Sequence, residues 1–203
     1  MKKHVGIVCV QGAFIEHKHA LDALGCTCIE IRNRSDITSD IDALVLPGGE
    51  STAQSRLLHD LRLFDTLKER IEQGMPTLAT CAGLILLAKT IDGTGDLQGL
   101  NESAANKRLA VEGFQTLNVC VQRNAYGRQL SSFHTQLYCA RAGRELPATF
   151  IRAPRITSCG AHVEVLMQYN ESAVAVQQDN QIACTFHPEL DSDLFFHKTL
   201  ISL

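Results

Sequence analysis

Apolar positions recur along the first half of the chain with two alternating periods. His4 to Val10 is a short, β-branched apolar run, which predicts a strand; Gln11-Gly12-Ala13 supplies turn residues, and Ile15 to Leu24 spaces its apolar side chains as a helix that ends on Gly25. Cys26 to Ile31 and Ala43 to Leu46 predict two further strands, the second stopped by Pro47-Gly48-Gly49. From Thr52 the helical period returns: Leu57, Leu58, Leu61, Leu63, Phe64, Leu67 and Ile71 supply the buried faces of one broken or two short helices before Gly74. Pro76 to Thr80 then predicts a short strand, and Ala82 to Lys89 a helix that begins directly after Cys81. Alternation of this kind predicts a three-layer α/β fold, a mostly parallel central sheet with helices on both faces.

The second half has a different pattern. Leu117 to Gln122, Gln136 to Ala140, Thr149 to Ile151, His162 to Gln168, Ala173 to Gln178 and Gln181 to Phe186 are strand-like runs separated by short polar turns, expected as antiparallel strands added to the main sheet. Ser192 to Leu203 reads as a closing helix. Asp92 to Gly113 has the weakest pattern, with a short exposed helix over Ser103 to Val111 as its one candidate element. No internal repeat or linker interrupts the chain, so residues 1–203 are expected to form a single domain. A domain of this length buries roughly 70% of the surface its unfolded chain exposes, enough to stand without disulfide or metal.

Charge narrows the function classes. A net charge of -3 provides no basic field for nucleic acid and no polybasic patch for anionic lipid, which leaves small-molecule or protein partners. Lys2 and Lys3 precede an apolar run too short for a signal peptide, and no window approaches a membrane span, so the expected location is cytoplasmic. The eight cysteines are scattered apart from Cys26-x-Cys28, whose spacing puts both on one face of a strand and makes no metal clip. Most of Cys9, Cys26, Cys28, Cys120, Cys139, Cys159 and Cys184 therefore read as small apolar packing residues.

Cys81 stands apart. Ala79-Thr80-Cys81-Ala82-Gly83 sets small residues around one cysteine at a strand-to-helix junction, the requirement of a nucleophile elbow, with Ala79 where that turn more often carries glycine. A thiol at a helix N-terminus faces the positive end of the helix dipole, and the Ala82 N–H would point at the oxygen of an attacked carbonyl. A buried packing cysteine remains the other reading of this motif alone. Acyl transfer also needs an oriented base, and Phe186-His187-Pro188-Glu189 places His187 beyond a strand end with Glu189 within reach of one imidazole nitrogen. The remaining histidines, His17 and His19 included, read as exposed or structural. Gly48-Gly49 after a strand offers backbone N–H groups as a cradle for an oxyanion or carboxylate, although a Pro-Gly-Gly sequence by itself is more often only a turn.

In this order and at these intervals, the Pro-Gly-Gly-Glu-Ser turn, the Cys81 elbow and His187-Pro188-Glu189 resemble the triad glutaminase domains of class I glutamine amidotransferases. Further motifs are similar to one branch, the glutaminase subunits of pyridoxal 5'-phosphate synthase: Val10-Gln11-Gly12-Ala13 with Glu16-His17, Thr80 to Leu84, Arg123-Asn124-Ala125-Tyr126-Gly127-Arg128-Gln129, Phe150-Ile151-Arg152-Ala153-Pro154, and Thr185-Phe186-His187-Pro188-Glu189-Leu190. The resemblance spans nearly the whole chain. It implies that Cys81 forms a glutamyl thioester, His187 shuttles the proton and Glu189 orients His187. Gly49 and Ala82 would supply the oxyanion N–H groups, and Gly49, Glu50, Ser51, Arg123, Ile151 and Arg152 would hold L-glutamine. No cofactor or metal is implied, and the implied partner is the synthase's (β/α)8-barrel subunit, which takes up the ammonia. Two departures stand out: Asp92 to Gly113 lengthens the interval between Cys81 and Arg123, and the chain after His187 is short. Two other readings remain open, a glutaminase serving a different synthase and a non-enzymatic DJ-1-like protein in which Cys81 senses oxidation.

Overall fold

The computed structural model describes residues 2–92, 111–123 and 132–203. Asp92 to Gly113, with its expected helix over Ser103 to Val111, is described only at its ends, and Asn124 to Gln129 lies outside the described residues. The first half alternates as its sequence pattern requires: β1 (His4–Val8), α1 (Phe14–Ala23), β2 (Thr27–Ile31), β3 (Ala43–Leu46), α2 (Ser51–Asp60), α3 (Phe64–Glu72), β4 (Thr77–Thr80) and α4 (Ala82–Leu87). Then come β5 (Ala88–Asp92), β6 (Leu117–Gln122), β7 (Ser132–Cys139), β8 (Arg144–Ile151), β9 (Arg155–Cys159), β10 (Glu164–Tyr169), β11 (Ser172–Gln178), β12 (Gln181–Cys184) and α5 (Phe195–Ser202).

A nine-stranded sheet runs β2-β1-β3-β4-β12-β11-β10-β7-β8. From β2 to β12 its neighbours are parallel, and from β12 to β8 antiparallel. Side chains of β3 show why the sheet is covered on both faces. Ala43 and Val45 belong to one apolar cluster, with Leu21 of α1 and Phe196 and Leu200 of α5; Leu44 and Leu46 belong to the other, with Leu58, Leu67 and Leu84 of α2, α3 and α4. All four residues of β3 are buried, as are all four of β4 and of β12, the composition of central strands between two helical layers. Among the described residues no helix is long and apolar enough to cross a membrane.

Three expectations are corrected. The run from Ala82 does not stay helical to Lys89: α4 stops at Leu87 and Ala88–Asp92 is a strand parallel to β6. An unbroken apolar run has no period to mark that change, and long-range pairing decides it, including the Phe114 N–H on the Leu86 carbonyl at 2.6 Å. Leu117–Gln122 joins β5 and β9 in a separate three-stranded sheet rather than the main one. β9, which fully buries only Ile156, was not expected at all, and the β7–β8 hairpin extends well beyond the runs read from sequence, Pro147 within β8 reading as a break.

Candidate active site

Parallel pairing fixes which chain segments meet. Leu46 of β3 lies opposite Ala79 of β4, and Thr80 of β4 opposite Cys184 of β12, so the residues leaving the carboxyl ends of these strands stand side by side. Those residues are Gly48 and Gly49, Cys81, and His187. The carboxyl edge of a parallel sheet is where open α/β proteins place their sites.

Cys81 has φ 48° and ψ -100°, a left-handed conformation that costs a non-glycine residue on the order of 1–3 kcal/mol. The surroundings hold it there. Its N–H donates to the Cys184 carbonyl at 2.8 Å, and α4 then starts so close to β3 that a Cβ on Gly83 would sit 2.9 Å from the Leu46 carbonyl carbon. Only glycine fits that crossing, and Ala79, with no exposed surface, is the small residue on the other side of the turn. Ala82 is the first residue of α4, so its N–H has no intrahelical acceptor.

His187 is fixed at both ends. Its N–H donates to the Thr149 carbonyl of β8 at 2.8 Å, and Nδ1 lies 2.7 Å from Glu189 Oε1. Its ring packs against Gly48, where a built Cβ would fall 3.0 Å from His187 Nδ1 and 3.3 Å from Cys81 Cβ. Burial lowers the imidazole's proton affinity, but hydrogen bonds to Cys81 and Glu189, and the negative charges on them, outweigh it and raise the pKa to about 10. Glu189 sits on the short 3-10 turn Pro188–Leu190 with its side chain wholly buried. Burial pushes its carboxyl up, while His17 and His187 on either side hold it below the ordinary value.

Behind Cys81, His187 and Glu189 lies a second group of buried polar side chains. His17 of α1 has Nε2 3.4 Å from Glu189 Oε2 and 3.2 Å from Thr80 Oγ1, and its Nδ1 lies 2.9 Å from His197 Nε2 of α5. Thr80 Oγ1 in turn accepts the Gly48 N–H at 3.0 Å. His17 and His197 have no exposed surface, and burial is the main influence keeping both imidazoles neutral near pH 7, His197 down to about 3. Sequence reasoning missed this group. The available signal was position: His17 shares the buried side of α1 with Ala20 and Leu21, and His197 that of α5 with Phe196 and Leu200.

A cavity of about 250 Å³ opens over Cys81 and His187. That size suits an amino-acid-sized ligand. Gly49, Glu50, Ser51, Arg123, Ile151 and Arg152, the residues singled out for binding, all line it. So do Gly48 of the glycine turn and Gln11, Gly12, Ala13, Ile85 and Pro154, to which no role was given. Ala82 and Glu189 are buried beside and behind this lining. The Glu50 carboxylate caps α2, accepting from the Thr52 and Ala53 N–H groups at 3.0 and 2.7 Å. Those bonds outweigh the opposing effect of burial and hold its pKa down. Arg123 donates to Thr52 Oγ1 at 3.0 Å and lies 3.4 Å from Glu50 Oε1, at the rim. Cys81 Sγ is 3.9 Å from the Ile151 carbonyl oxygen. The other cysteines do not line the cavity, and burial pushes Cys9 up to about 11 and Cys28 up to about 12.

Fold and site together define an α/β protein of the glutamine amidotransferase class. A crystal structure of a glutamine amidotransferase matches it with TM-score 0.85 at 35% identity, over 98% of this chain and 97% of that one. A chain in the structure of PurLQS from Thermotoga maritima, 14% identical with TM-score 0.66 over 100% of this chain and 99% of that one, shares the fold. Within the class, the chain belongs to the SNO glutamine amidotransferase family, whose model matches residues 7–202. It is 48% identical over 197 residues to a pyridoxal 5'-phosphate synthase subunit PdxT of Desulfitobacterium hafniense, covering 97% of this chain and 91% of the relative. The subunit of the same name from Methanocorpusculum labreanum is 45% identical over 98% of this chain and 96% of its own.

Proposed function

We propose that this chain, acting as a single domain, hydrolyses L-glutamine to L-glutamate and ammonia through Cys81, His187 and Glu189, and delivers the ammonia to the barrel subunit of a pyridoxal 5'-phosphate synthase in the cytoplasm. One observation carries the reading: a strained cysteine, and a histidine bonded to a buried carboxylate, meet on the floor of an amino-acid-sized cavity at the carboxyl edge of the sheet. Membership of the amidotransferase family and the names of the relatives support the substrate and the partner.

In this mechanism the Cys81 thiolate, whose proton has passed to His187, attacks the side-chain amide carbon of glutamine. The carbonyl π electrons move to oxygen, where the N–H groups of Ala82 and Gly49 stabilise the charge. Collapse of the tetrahedral intermediate breaks the C–N bond as His187 gives its proton to the departing nitrogen, releasing ammonia and leaving a glutamyl thioester. His187 then takes a proton from water, the hydroxide attacks the thioester, and glutamate leaves as the C–S bond breaks. Glu189 holds the imidazole orientation throughout and balances its positive charge. No oxidant, metal or cofactor enters this balance. Arg123, at the rim, suits the ligand's α-carboxylate, for which it would exchange Glu50.

The test is glutamate release from L-glutamine by the chain alone and with the barrel subunit, for wild type and Cys81→Ala. Release that rises on mixing and falls by at least ~10³-fold in Cys81→Ala is the expected result. Full activity in the variant would exclude Cys81 as nucleophile. A redox sensor has no use for the His187–Glu189 bond, and for such a protein Cys81 would react equally fast after His187→Ala.

A further inference from the structure

The triad leaves one oxygen of its carboxylate unaccounted for. Glu189 Oε1 accepts the hydrogen bond of His187 Nδ1, but Oε2 is buried without a hydrogen bond, and His17 Nε2 stands 3.4 Å from it. We propose that His17, with its tautomer fixed by His197, is a positioning residue for the reaction: it holds the second carboxylate oxygen of Glu189 and so sets the angle at which His187 faces Cys81. This inference rests on the Cys81–His187–Glu189 reading above and extends it by two residues.

Proton placement decides the argument. The His17–His197 pair is joined by an N···N contact of 2.9 Å, which requires one proton between the rings. His197 Nδ1 has no partner and is buried. If His17 Nδ1 carried the shared proton, His197 Nε2 would accept it and neutral His197 would bury an unpaired Nδ1–H. His17 Nε2 would then turn a lone pair toward the Glu189 carboxylate. In the opposite arrangement His197 donates Nε2–H to His17 Nδ1, and His17 directs Nε2–H between Glu189 Oε2 and Thr80 Oγ1. That arrangement leaves a bare nitrogen at His197 rather than an orphaned donor and faces the buried negative charge with a proton. Neutral His17 can therefore serve as a donor without adding a second cation beside protonated His187.

Helix packing makes the donor a rigid one. α1 and α5 cover the same face of the sheet, where Leu21, Phe196 and Leu200 share one apolar cluster, and neither histidine reaches solvent. A carboxylate held by one oxygen can rotate about its own axis; held by both, it cannot. The reach is also longer than the triad: Thr80 Oγ1, which His17 touches, accepts the Gly48 N–H, so one imidazole abuts both the carboxylate and the glycine turn.

The experiment compares His17→Leu with His17→Gln in the full chain with the barrel subunit present, alongside Cys81→Ala. Glutamine kcat and KM are measured together with the rate of Cys81 alkylation by iodoacetamide. Leucine removes the donor and keeps the apolar volume, whereas the glutamine amide can again donate to Glu189. His17→Leu is expected to lose kcat by roughly tenfold or more, as outer-shell partners of metal-bound histidines do, with KM within about threefold and slower alkylation. His17→Gln should recover most of that loss, which a purely packing role would not predict. Wild-type kcat in His17→Leu, or equal damage in both variants, would overturn the proposal while leaving the triad intact. Full hydrolysis by Cys81→Ala would instead overturn the triad reading and this inference with it. Should His17→Leu fail to fold, His197→Leu carries the same test, because it leaves His17 in place and removes the donor that fixes its tautomer: a slowed kcat supports the proposal and a wild-type kcat overturns it.

Discussion

Replacing Gly48 by alanine adds a single methyl group, and the structure says where that group goes. Gly48 has no positive φ, so its backbone accepts alanine, and with open space around it the change would stabilise the fold by about 0.4–1 kcal/mol through the unfolded chain. The space is not open. The new Cβ lies 3.0 Å from His187 Nδ1, 3.3 Å from Cys81 Cβ and closer still to His187 Cε1. Restoring an ordinary contact of about 3.5 Å requires the imidazole to retreat by about 1 Å. That ring is pinned by its 2.7 Å bond to the buried Glu189, and the backbone that carries it by the His187 amide N–H on the Thr149 carbonyl, so the retreat comes out of its alignment with Cys81. A misplacement of about 1 Å at reacting groups costs on the order of 10²-fold in rate, about 2.7 kcal/mol of barrier. Gly48→Ala should therefore lower kcat/KM for glutamine about 100-fold while urea unfolding shifts by no more than about 2 kcal/mol. Gly25→Ala is the control: Gly25 has φ 77° and nothing within 4 Å of its Cβ position, so it should cost about 1–2 kcal/mol of stability and no activity. A Gly48→Ala enzyme with wild-type kcat/KM would refute the placement of His187 against the glycine turn.

Other expectations follow from the same geometry. Glu189→Gln keeps the shape but removes the charge opposite His187, and should lower kcat by about 10²-fold or more with little change in KM, read from steady-state glutamate release. Gly83→Ala drives a methyl into the Leu46 backbone and should cost at least about 2 kcal/mol in urea unfolding, destroying the elbow rather than one step of the chemistry. The His187 pKa is raised from 6.5 to about 10, so the folded state binds its proton more tightly than the unfolded chain. Its stabilisation is complete below pH 6.5 and lost as pH rises toward 10, and the stability difference between wild type and His187→Gln should shrink across that window in urea titrations. His17 and His197 are shifted the opposite way, so the folded state resists their protonation. Stability should fall as pH drops below 6.5, and that acid limb should be shallower in His197→Phe.

The parallel half of the fold was legible because its strands are short, apolar and punctuated: Pro47-Gly48-Gly49 and Gly74 mark changes of period, and the end of β3, the start of α2, the end of α3 and the start of β4 fall within a few residues of them. The elbow was legible for a steric reason, since Gly83 and Ala79 are small where the backbones crowd. What sequence could not reveal was assembly across the sheet. β5 follows the apolar run of α4 with Lys89 and Thr90 exposed side by side, β9 fully buries only Ile156, and Pro147 interrupts the pattern of β8. His17 and His197, 180 residues apart, touch only because α1 and α5 cover the same face of the sheet. The candidate site residues could be named because they follow strands; their buried supports could not, because they sit on helices packed behind those strands.

That division assigns α1 a larger part than a cover for the sheet. The loop that leads into it holds the glycine turn: Ala13 N–H donates to the Gly48 carbonyl at 3.1 Å, and Gln11 Oε1 accepts the Glu50 N–H at 2.8 Å. One turn into the helix, His17 faces Glu189. Among the described residues no peptide bond is cis, so the Gly49 N–H points opposite to the Gly48 carbonyl, and Ala13 thereby fixes the direction of the N–H assigned to the oxyanion. Gly12 is required for this approach, having φ 105° and a position at which any Cβ would lie 2.8 Å from the Gly48 carbonyl carbon. A side chain at position 12 should therefore disturb both halves of the site at once. Gly12→Ala is expected to slow glutamine hydrolysis more than either Gly48→Ala or His17→Leu, with Cys81 alkylation also slowed. Slowed hydrolysis with alkylation at the wild-type rate would separate the glycine turn from the Cys81–His187 pair and show that α1 links them only by position.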